Sequence, residues 1–180
     1  MKINLIASLI CFLLICATNI FAQQPENGFE LYEKGEYQKA AEVLQKAVTT
    51  NEKDRKSWLY LGMTYIKLDN KKEAVKSFEK ADKINFKQSE IDKTTFKIIS
   101  KPRANYTDEA RRNSVSGTIK FAVEFGADGE IKEIFPFKKL PYGLTENTVE
   151  SVRKIKFEPA SKDGKAVSYI TIVSYSFTIY

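Results

Sequence analysis

The chain has 180 residues, of which 43% are hydrophobic, and a formal net charge of +6, so it can bury one sizeable core or two small ones. It contains no histidine, and both cysteines, Cys11 and Cys16, lie in the first apolar segment. These absences exclude imidazole acid–base catalysis and, once that segment is removed, cysteine nucleophiles and most zinc sites. The positive charge forms no dense basic block, so we expect no nucleic-acid partner.

Residues 1–22 have the pattern of a secretory signal peptide. Lys2 precedes an almost uninterrupted apolar run at residues 5–17, and the segment ends on a small residue, Ala22. This pattern predicts export, with cleavage between Ala22 and Gln23. The alternative is an uncleaved membrane anchor, because the segment approaches the ~17–25 residues that span a bilayer. In either case we expect the rest of the chain outside the cytoplasm, in a periplasm.

Residues 23–88 have a helical pattern that repeats at a spacing of 34 residues. Gly28 recurs as Gly62, and the fuller second copy consists of Trp58, Leu61, Gly62, Tyr65, Ala74, Phe78 and Ala81. This spacing resembles the tetratricopeptide repeat (TPR), and we predict two all-α TPR hairpins. The alternative is a plain four-helix array without a ligand. Because about three repeats are usually needed for stability, we expect the array to pack against the C-terminal part of the chain.

Residues 89–101 are predicted to form a linker and a short strand, and residues 102–180 a small α+β domain. The alternation of apolar and polar residues over 117–125 is typical of a half-buried strand, and Asp128-Gly129 supplies a tight hairpin turn. An amphipathic helix comes next, with an apolar face formed by Leu144, Val149, Val152 and Ile155. A long final strand, residues 167–180, completes a three-stranded antiparallel sheet.

Several features of residues 94–180 together resemble the TonB C-terminal domain. They are Pro102, Tyr106, Ala110-Arg111, Gly117-Thr118-Ile119, Asp128-Gly129, Leu144, Phe157-x-Pro159-Ala160, Asp163-Gly164-Lys165 and Phe177. The resemblance implies a three-stranded antiparallel sheet with a helix packed on it. It also implies envelope partners: an outer-membrane TonB-dependent receptor, bound by strand pairing, and an inner-membrane energising complex. A repeat array stands where the energy transducers of that family carry a long proline-rich spacer.

The final strand is the first candidate for a partner-binding site. An edge strand presents unpaired N–H and C=O groups to which another chain can add a strand. The alternative is that this strand only completes the sheet. The residues that we expect to matter are Tyr169, Thr171, Val173 and Tyr175.

These patterns support two functions of different classes. The first is a periplasmic protein–protein interaction module of TonB type, which serves energy-coupled transport across the outer membrane through strand pairing with a receptor. The second is a periplasmic TPR scaffold without energy transduction. In that case the repeats hold a partner on their concave side, around Trp58 and Tyr65, and the sheet domain serves as a platform or as a homodimerisation unit.

We predict no enzymatic activity, no catalytic residue, no cofactor and no metal site. Ser77 and Lys80, and likewise Ser151 and Lys154, have the spacing of a Ser–Lys dyad. Both pairs fall inside predicted amphipathic helices and lack the companion motifs of Ser–Lys enzymes. The two Asp-Gly turns offer too few oxygen ligands for calcium.

Overall fold

The computed structural model describes residues 27–84 and 95–179. The predicted signal peptide, its cleavage site between Ala22 and Gln23, and the first part of the predicted linker lie outside these residues. None of the described helices has the length and apolar character needed to cross a bilayer.

The first described part consists of two helical hairpins, as predicted. Its helices are α1 (Gly28–Glu33), α2 (Tyr37–Thr50), α3 (Arg55–Lys67) and α4 (Lys71–Lys83). Side-chain oxygens of Asn27, Asp54 and Asn70 accept backbone N–H groups at the starts of α1, α3 and α4, which satisfies donors that have no partner within the helix. The chain leaves α1 and α3 through residues with positive φ, Gly35 and Asp69.

Small residues mark the points where the two helices of each hairpin approach most closely. A Cβ atom built on Gly28 would lie 2.7 Å from Leu44 Cγ, and one built on Gly62 would lie 2.5 Å from Phe78 Cε1. Real Cβ atoms do not approach this closely, so both positions require glycine. The glycine that recurs in the sequence therefore marks the same close contact between helices in both hairpins.

The second described part is built on a three-stranded antiparallel sheet, also as predicted. Its strands are β2 (Gly117–Phe125), β3 (Ile131–Lys138) and β7 (Tyr169–Phe177), in the order β3-β2-β7. The register between β2 and β7 is unbroken from the pair Gly117–Phe177 to the pair Phe125–Tyr169. Strand β2 is therefore the central strand, and β3 and β7 are the edges.

Smaller elements surround this sheet: β1 (Lys97–Ser100), α5 (Asp108–Arg112), α6 (Leu144–Val152), β4 (Lys156–Glu158), β5 (Ala160–Lys162) and β6 (Lys165–Val167). Strand β1 pairs with β4, and β5 pairs with β6, in two further antiparallel ladders. Neither ladder is among the elements predicted from the sequence.

The predicted final strand is shorter than expected at its start. Val167 does not belong to β7; it pairs with Ala160 in the β5–β6 hairpin. Asp163 and Gly164, both with positive φ, form the tight turn of this hairpin, and Ser168 separates it from β7. The turn gives residues 165–167 a nearer partner than the main sheet, which is why the strand divides. Residue 180 lies outside the described residues.

Both faces of the sheet are covered. On one face, the odd-numbered residues of β2 from Ile119 to Phe125 pack with Leu144 of α6 in a single buried cluster. On the opposite face, Ala122 and Ile170 belong to the same buried cluster as Phe78 of the repeats. The repeats therefore pack against the sheet, as their small number led us to expect.

Replacing Gly62 with Leu should destabilise the helical half. The new side chain would overlap the Phe78 ring, and overpacking of this kind costs ~1–3 kcal/mol. Thermal unfolding followed by circular dichroism measures the effect. Glu79→Leu, at an exposed position of α4, is the matched control and should melt close to wild type. Equal melting temperatures for Gly62→Leu and wild type would show that α3 and α4 do not pack closely here.

Candidate functional site: the outer edge of β7

The repeats cover one face of the sheet through an apolar contact centred on Phe78 of α4. The centroid of its ring lies 5.8 Å from that of Phe135 and 5.7 Å from that of Phe137, both on β3. Ala122, in the middle of β2, is fully buried in the same cluster. This face is therefore occupied by the protein itself and is not open to a partner.

A buried polar network fixes the same contact. The side chain of Glu124 on β2, a residue 7% exposed, accepts a hydrogen bond of 2.9 Å from the Tyr32 hydroxyl of α1. Lys67 Nζ of α3 lies 3.4 Å from Glu124 Oε2 and 3.3 Å from Glu133 Oε2. A buried carboxylate is tolerated only with such partners, because an unpaired one costs several kcal/mol.

Burial and neighbouring charges shift the pKa values of two groups in this network, Tyr32 and Lys67. Burial, and then the charge of Glu124, raise the pKa of Tyr32 far above its ordinary value. Burial alone would lower the pKa of Lys67, but Glu124 and Glu133 outweigh it and raise that pKa. At neutral pH Tyr32 is therefore a neutral donor and Lys67 a cation. Glu124 therefore keeps both of its partners from the repeats at neutral pH.

A second ion pair joins the repeats to the sheet. Lys120 Nζ of β2 lies 2.7 Å from both carboxylate oxygens of Asp82, near the end of α4. Both side chains are about a quarter exposed, so the pair is partly shielded from water. Together with the Glu124 network, it fixes the orientation of the repeats on the sheet.

With both faces covered, the sheet can offer a partner only its edges, and the two edges differ. Strand β3 contains Pro136, which has no N–H, and its register with β2 shifts at two places. Prolines and bulges are features that discourage strand addition. Strand β7 contains no proline and pairs with β2 without interruption. Edge β7 is therefore the better template for an added strand.

The contacts of Lys101 indicate which backbone groups of β7 point outward. Its Nζ donates a hydrogen bond of 2.7 Å to the carbonyl oxygen of Ser174 and lies 4.4 Å from the centroid of the Tyr175 ring. Within the described residues, no backbone group other than those of β2 bonds to β7. A carbonyl free to accept from Lys101 points away from β2, so Ser174 and its alternate neighbours Ile172 and Ser176 present outward N–H and C=O groups.

Lys101 also protects this edge. Lys101 is exposed as a residue, but the partial burial of its ammonium group beside the Tyr175 ring lowers its pKa. A lysine laid across an edge strand is a common device against unwanted strand pairing. A partner strand must displace this ammonium group from Ser174 to complete its own ladder. Lys101 is not among the residues predicted from the sequence, and the residues around it carry no pattern that would have identified it.

The four residues predicted on the final strand lie together on β7. They alternate with Ile172, Ser174 and Ser176, so their backbone N–H and C=O groups point toward β2. Val173 and Tyr175 are buried, and Tyr169 and Thr171 are half-buried. The ring of Tyr169 stacks on Phe96 with centroids 4.6 Å apart. Their side chains line the covered face toward α6. The backbone groups available to a partner therefore belong to the alternate residues, which the sequence could not distinguish.

Trp58 and Tyr65, the predicted residues of the repeats, are both half-buried on α3. Trp58 Nε1 donates to the carbonyl oxygen of Glu52 at 3.0 Å, and the Tyr65 hydroxyl donates to Gln45 Oε1 at 3.3 Å. Tyr65 lines a cavity of about 430 Å³ between α2 and α3, whereas Trp58 does not. The two side chains therefore do not form one site.

The two Ser–Lys spacings do not form dyads. The hydroxyl of Ser77 donates to the carbonyl oxygen of Glu73 at 2.8 Å, and that of Ser151 to the carbonyl oxygen of Arg103 at 3.3 Å. Each hydroxyl is thus directed at the backbone. In the part of the chain that the structure describes, no group of three or more His, Cys, Asp or Glu side chains could hold a metal ion.

Comparison with known families finds one match in each half of the chain. Residues 102–179 match the TonB C-terminal family, whose model is described as Gram-negative bacterial TonB protein C-terminal. Residues 31–94 match a tetratricopeptide repeat model. Both resemblances proposed from the sequence are thereby confirmed. We refer to residues 102–179 as the TonB-like domain.

A solved structure is also similar to the TonB-like domain. It is the solution NMR structure of the Pseudomonas aeruginosa TonB CTD, with 22% sequence identity, a TM-score of 0.39, and coverage of 47% of this chain and 86% of that chain. No curated protein matches the chain. The match to the TonB C-terminal family supports an interaction module of TonB type for residues 102–179.

Replacing Tyr32 with Phe should weaken the contact between the repeats and the sheet. The change removes the hydroxyl that donates to Glu124, and hydrogen bonds to charged groups contribute about 1.5–3 kcal/mol. Urea unfolding measures the loss. Tyr37→Phe, a half-buried tyrosine of α2 next to Tyr32, is the control and should change stability by less. A larger loss in the control would show that Glu124 does not depend on Tyr32.

Proposed function

We propose that this protein is a periplasmic interaction module of TonB type that binds an envelope partner by adding the partner's strand to the outer edge of β7. The observation that carries this proposal is the contrast between the two edges of the sheet. Strand β7 has an unbroken register and outward backbone groups, whereas β3 has Pro136 and two register shifts. The family match supports the same mode of binding.

Backbone groups supply the affinity in this mode. Ile172, Ser174 and Ser176 each offer one N–H and one C=O to an added strand. Each ladder hydrogen bond contributes about 0.5–1.5 kcal/mol net, so several are needed for stable capture. The displacement of Lys101 from Ser174 opposes binding, which favours partners that form the full ladder. Side chains beside the edge then select the sequence of the added strand.

The partner that fits the TonB family is an outer-membrane TonB-dependent receptor. Pairing with a receptor segment would link the protein to energy-coupled transport, with an inner-membrane complex as the source of energy. The repeats then act as a rigid base that covers one face of the sheet and leaves the β7 edge exposed. The proposal also includes export of the protein to the periplasm.

A second candidate is a TPR scaffold without energy transduction. The cavity of about 430 Å³ beside Tyr65 supports it, because polar side chains such as Gln38 and Glu42 line this cavity together with Ala41 and Leu68. In this case the partner contacts α2 and α3, and the β7 edge stays free or pairs with a second copy of the chain.

Site-specific photo-crosslinking in cells separates the two candidates. A photoreactive residue at Ser176, on the outer edge of β7, should crosslink to an outer-membrane receptor that mass spectrometry identifies. The same residue at Gln45, beside Tyr65, should not. Crosslinking from Gln45 alone would favour the scaffold, and a crosslink from Ser176 to a second copy of the chain would show homodimerisation through β7.

Proline substitutions test whether the contact is strand addition. Ser174→Pro removes an outward N–H and should abolish the Ser176 crosslink while the protein stays folded, because the ladder with β2 is intact. Val173→Pro is the matched control: it removes an inward N–H and should destabilise the fold itself. A crosslink that survives in folded Ser174→Pro would contradict strand addition at this edge.

A further inference from the structure

A cleft of about 1070 Å³ lies where the repeats meet the start of β7. Its walls are the first turns of α1 and α3, the β5–β6 hairpin, and the residues that lead into β7. We call it the β7 cleft and define it by the side chains that line its floor and rim: Phe29, Lys56, Tyr60, Lys162 and Ile170.

The floor of the β7 cleft is apolar. Phe29 and Tyr60 pack edge to face with ring centroids 4.8 Å apart, and Tyr60 is 6% exposed. Leu59 and Ile170 are almost fully buried beside them. Such a floor suits an apolar side chain of a ligand, because pockets of this size bind through apolar walls with a few placed polar groups.

The lining of the β7 cleft carries more positive than negative side chains: Lys34, Lys53, Arg55, Lys56 and Lys162 against Glu30, Glu33 and Asp54. Lys56 Nζ lies 4.3 Å from the centroid of the Phe29 ring, and Lys162 stands on the hairpin opposite. Burial lowers the pKa of Lys56, and the charge of Lys162 lowers it further. Neither lysine forms an ion pair with another residue that the structure describes. The two ammonium groups therefore repel one another across the cleft.

The nearby acids offset this repulsion only in part: Asp54 and Glu33 raise the pKa of Lys56, but burial and Lys162 outweigh them and keep it lowered. Both oxygens of Asp54 are engaged by Ser57, at 3.1 Å from its backbone nitrogen and 2.6 Å from its hydroxyl. Burial, and then the charge of Glu124, raise the pKa of Glu33, whereas the charge of Lys56 and a hydrogen bond with Ser168 lower it. An anionic group placed between Lys56 and Lys162 would relieve the repulsion that remains.

The β7 cleft also continues into the binding edge. Residues 167–170 line it and lead directly into β7. A strand added to the outer edge of β7 thus runs toward the cleft at one end. The residues of the partner that continue beyond the paired segment lie within reach of Lys56 and Lys162.

We propose that the β7 cleft binds an extended segment of the partner protein in which carboxylate side chains flank an apolar one, as a continuation of the segment paired with β7. The apolar side chain lies on Phe29 and Tyr60, and the carboxylates lie between Lys56 and Lys162. This inference rests on strand addition at β7. It adds the chemical class of the segment that the partner must contain.

Two synthetic peptides test the proposal on the exported chain beginning at Gln23. The first has a Thr-Val-Thr-Val segment followed by Glu-Phe-Glu, and the second carries Gln in place of both Glu residues. Fluorescence anisotropy of labelled peptide measures affinity. The Glu peptide should bind about tenfold more tightly than the Gln peptide. This ratio corresponds to about 1.4 kcal/mol, or about 0.7 kcal/mol for each of two partly shielded ion pairs.

Variants of the protein locate the effect. The double variant Lys56→Gln/Lys162→Gln should bind the two peptides equally, whereas Lys139→Gln, an exposed lysine that does not line the cleft, should keep the tenfold preference. A preference that survives in the double variant overturns the proposal, as does the absence of binding by either peptide.

Two further outcomes are distinguishable. Ser174→Pro should weaken both peptides by a similar factor while the preference for Glu remains. If Ser174→Pro has no effect but the preference still depends on the two lysines, strand addition fails and the cleft still binds acidic segments. A chain beginning at Asn27 is the last comparison. If the peptides bind only to this shorter chain, the residues before Asn27 compete for the cleft and the proposal is overturned.

Discussion

The contact between the helical repeats and the sheet is the constraint on which the rest of the structure depends. Two hairpins cannot bury enough apolar surface to stand alone, and a sheet with a helix on only one side leaves its other face exposed to water. Phe78 and Ala122 meet in one buried cluster, and Glu124 ties α1 and α3 to the same face. Each half thus supplies the cover that the other lacks.

This arrangement determines where a partner can bind. When α6 and the repeats cover the two faces, an approaching chain finds backbone groups only at the edges of the sheet. Pro136 and two register shifts make β3 a poor template, while β7 is regular and carries the side chain of Lys101 on its outer edge. The same contact also creates the β7 cleft, since its walls come from both halves of the chain.

The helical hairpins and the three strands of the main sheet could be predicted from the sequence, because they arise from local periodicity and turn chemistry. The β1–β4 and β5–β6 ladders were not predicted. The recurrence of glycine at 28 and 62 predicted the two helical hairpins, and the alternation over residues 117–125 predicted strand β2. The burial of Glu124 could not be predicted, since a charged residue between apolar ones ordinarily marks the solvent face of a strand. The outward direction of the Ser174 carbonyl and the role of Lys101 depend on a contact between residues 73 positions apart in the sequence. No local sequence pattern predicts such a contact.

Hydrogen exchange of single backbone amides, measured by NMR with and without the captured partner, tests strand addition at β7 most directly. In the free protein the N–H groups of Ile172, Ser174 and Ser176 should exchange quickly, while those of Thr171, Val173 and Tyr175 are protected by β2. The partner should slow the first set and leave the second unchanged. If the partner instead protects amides of β3 or of α2 and leaves those of β7 exchanging quickly, the account of β7 as the binding edge is wrong.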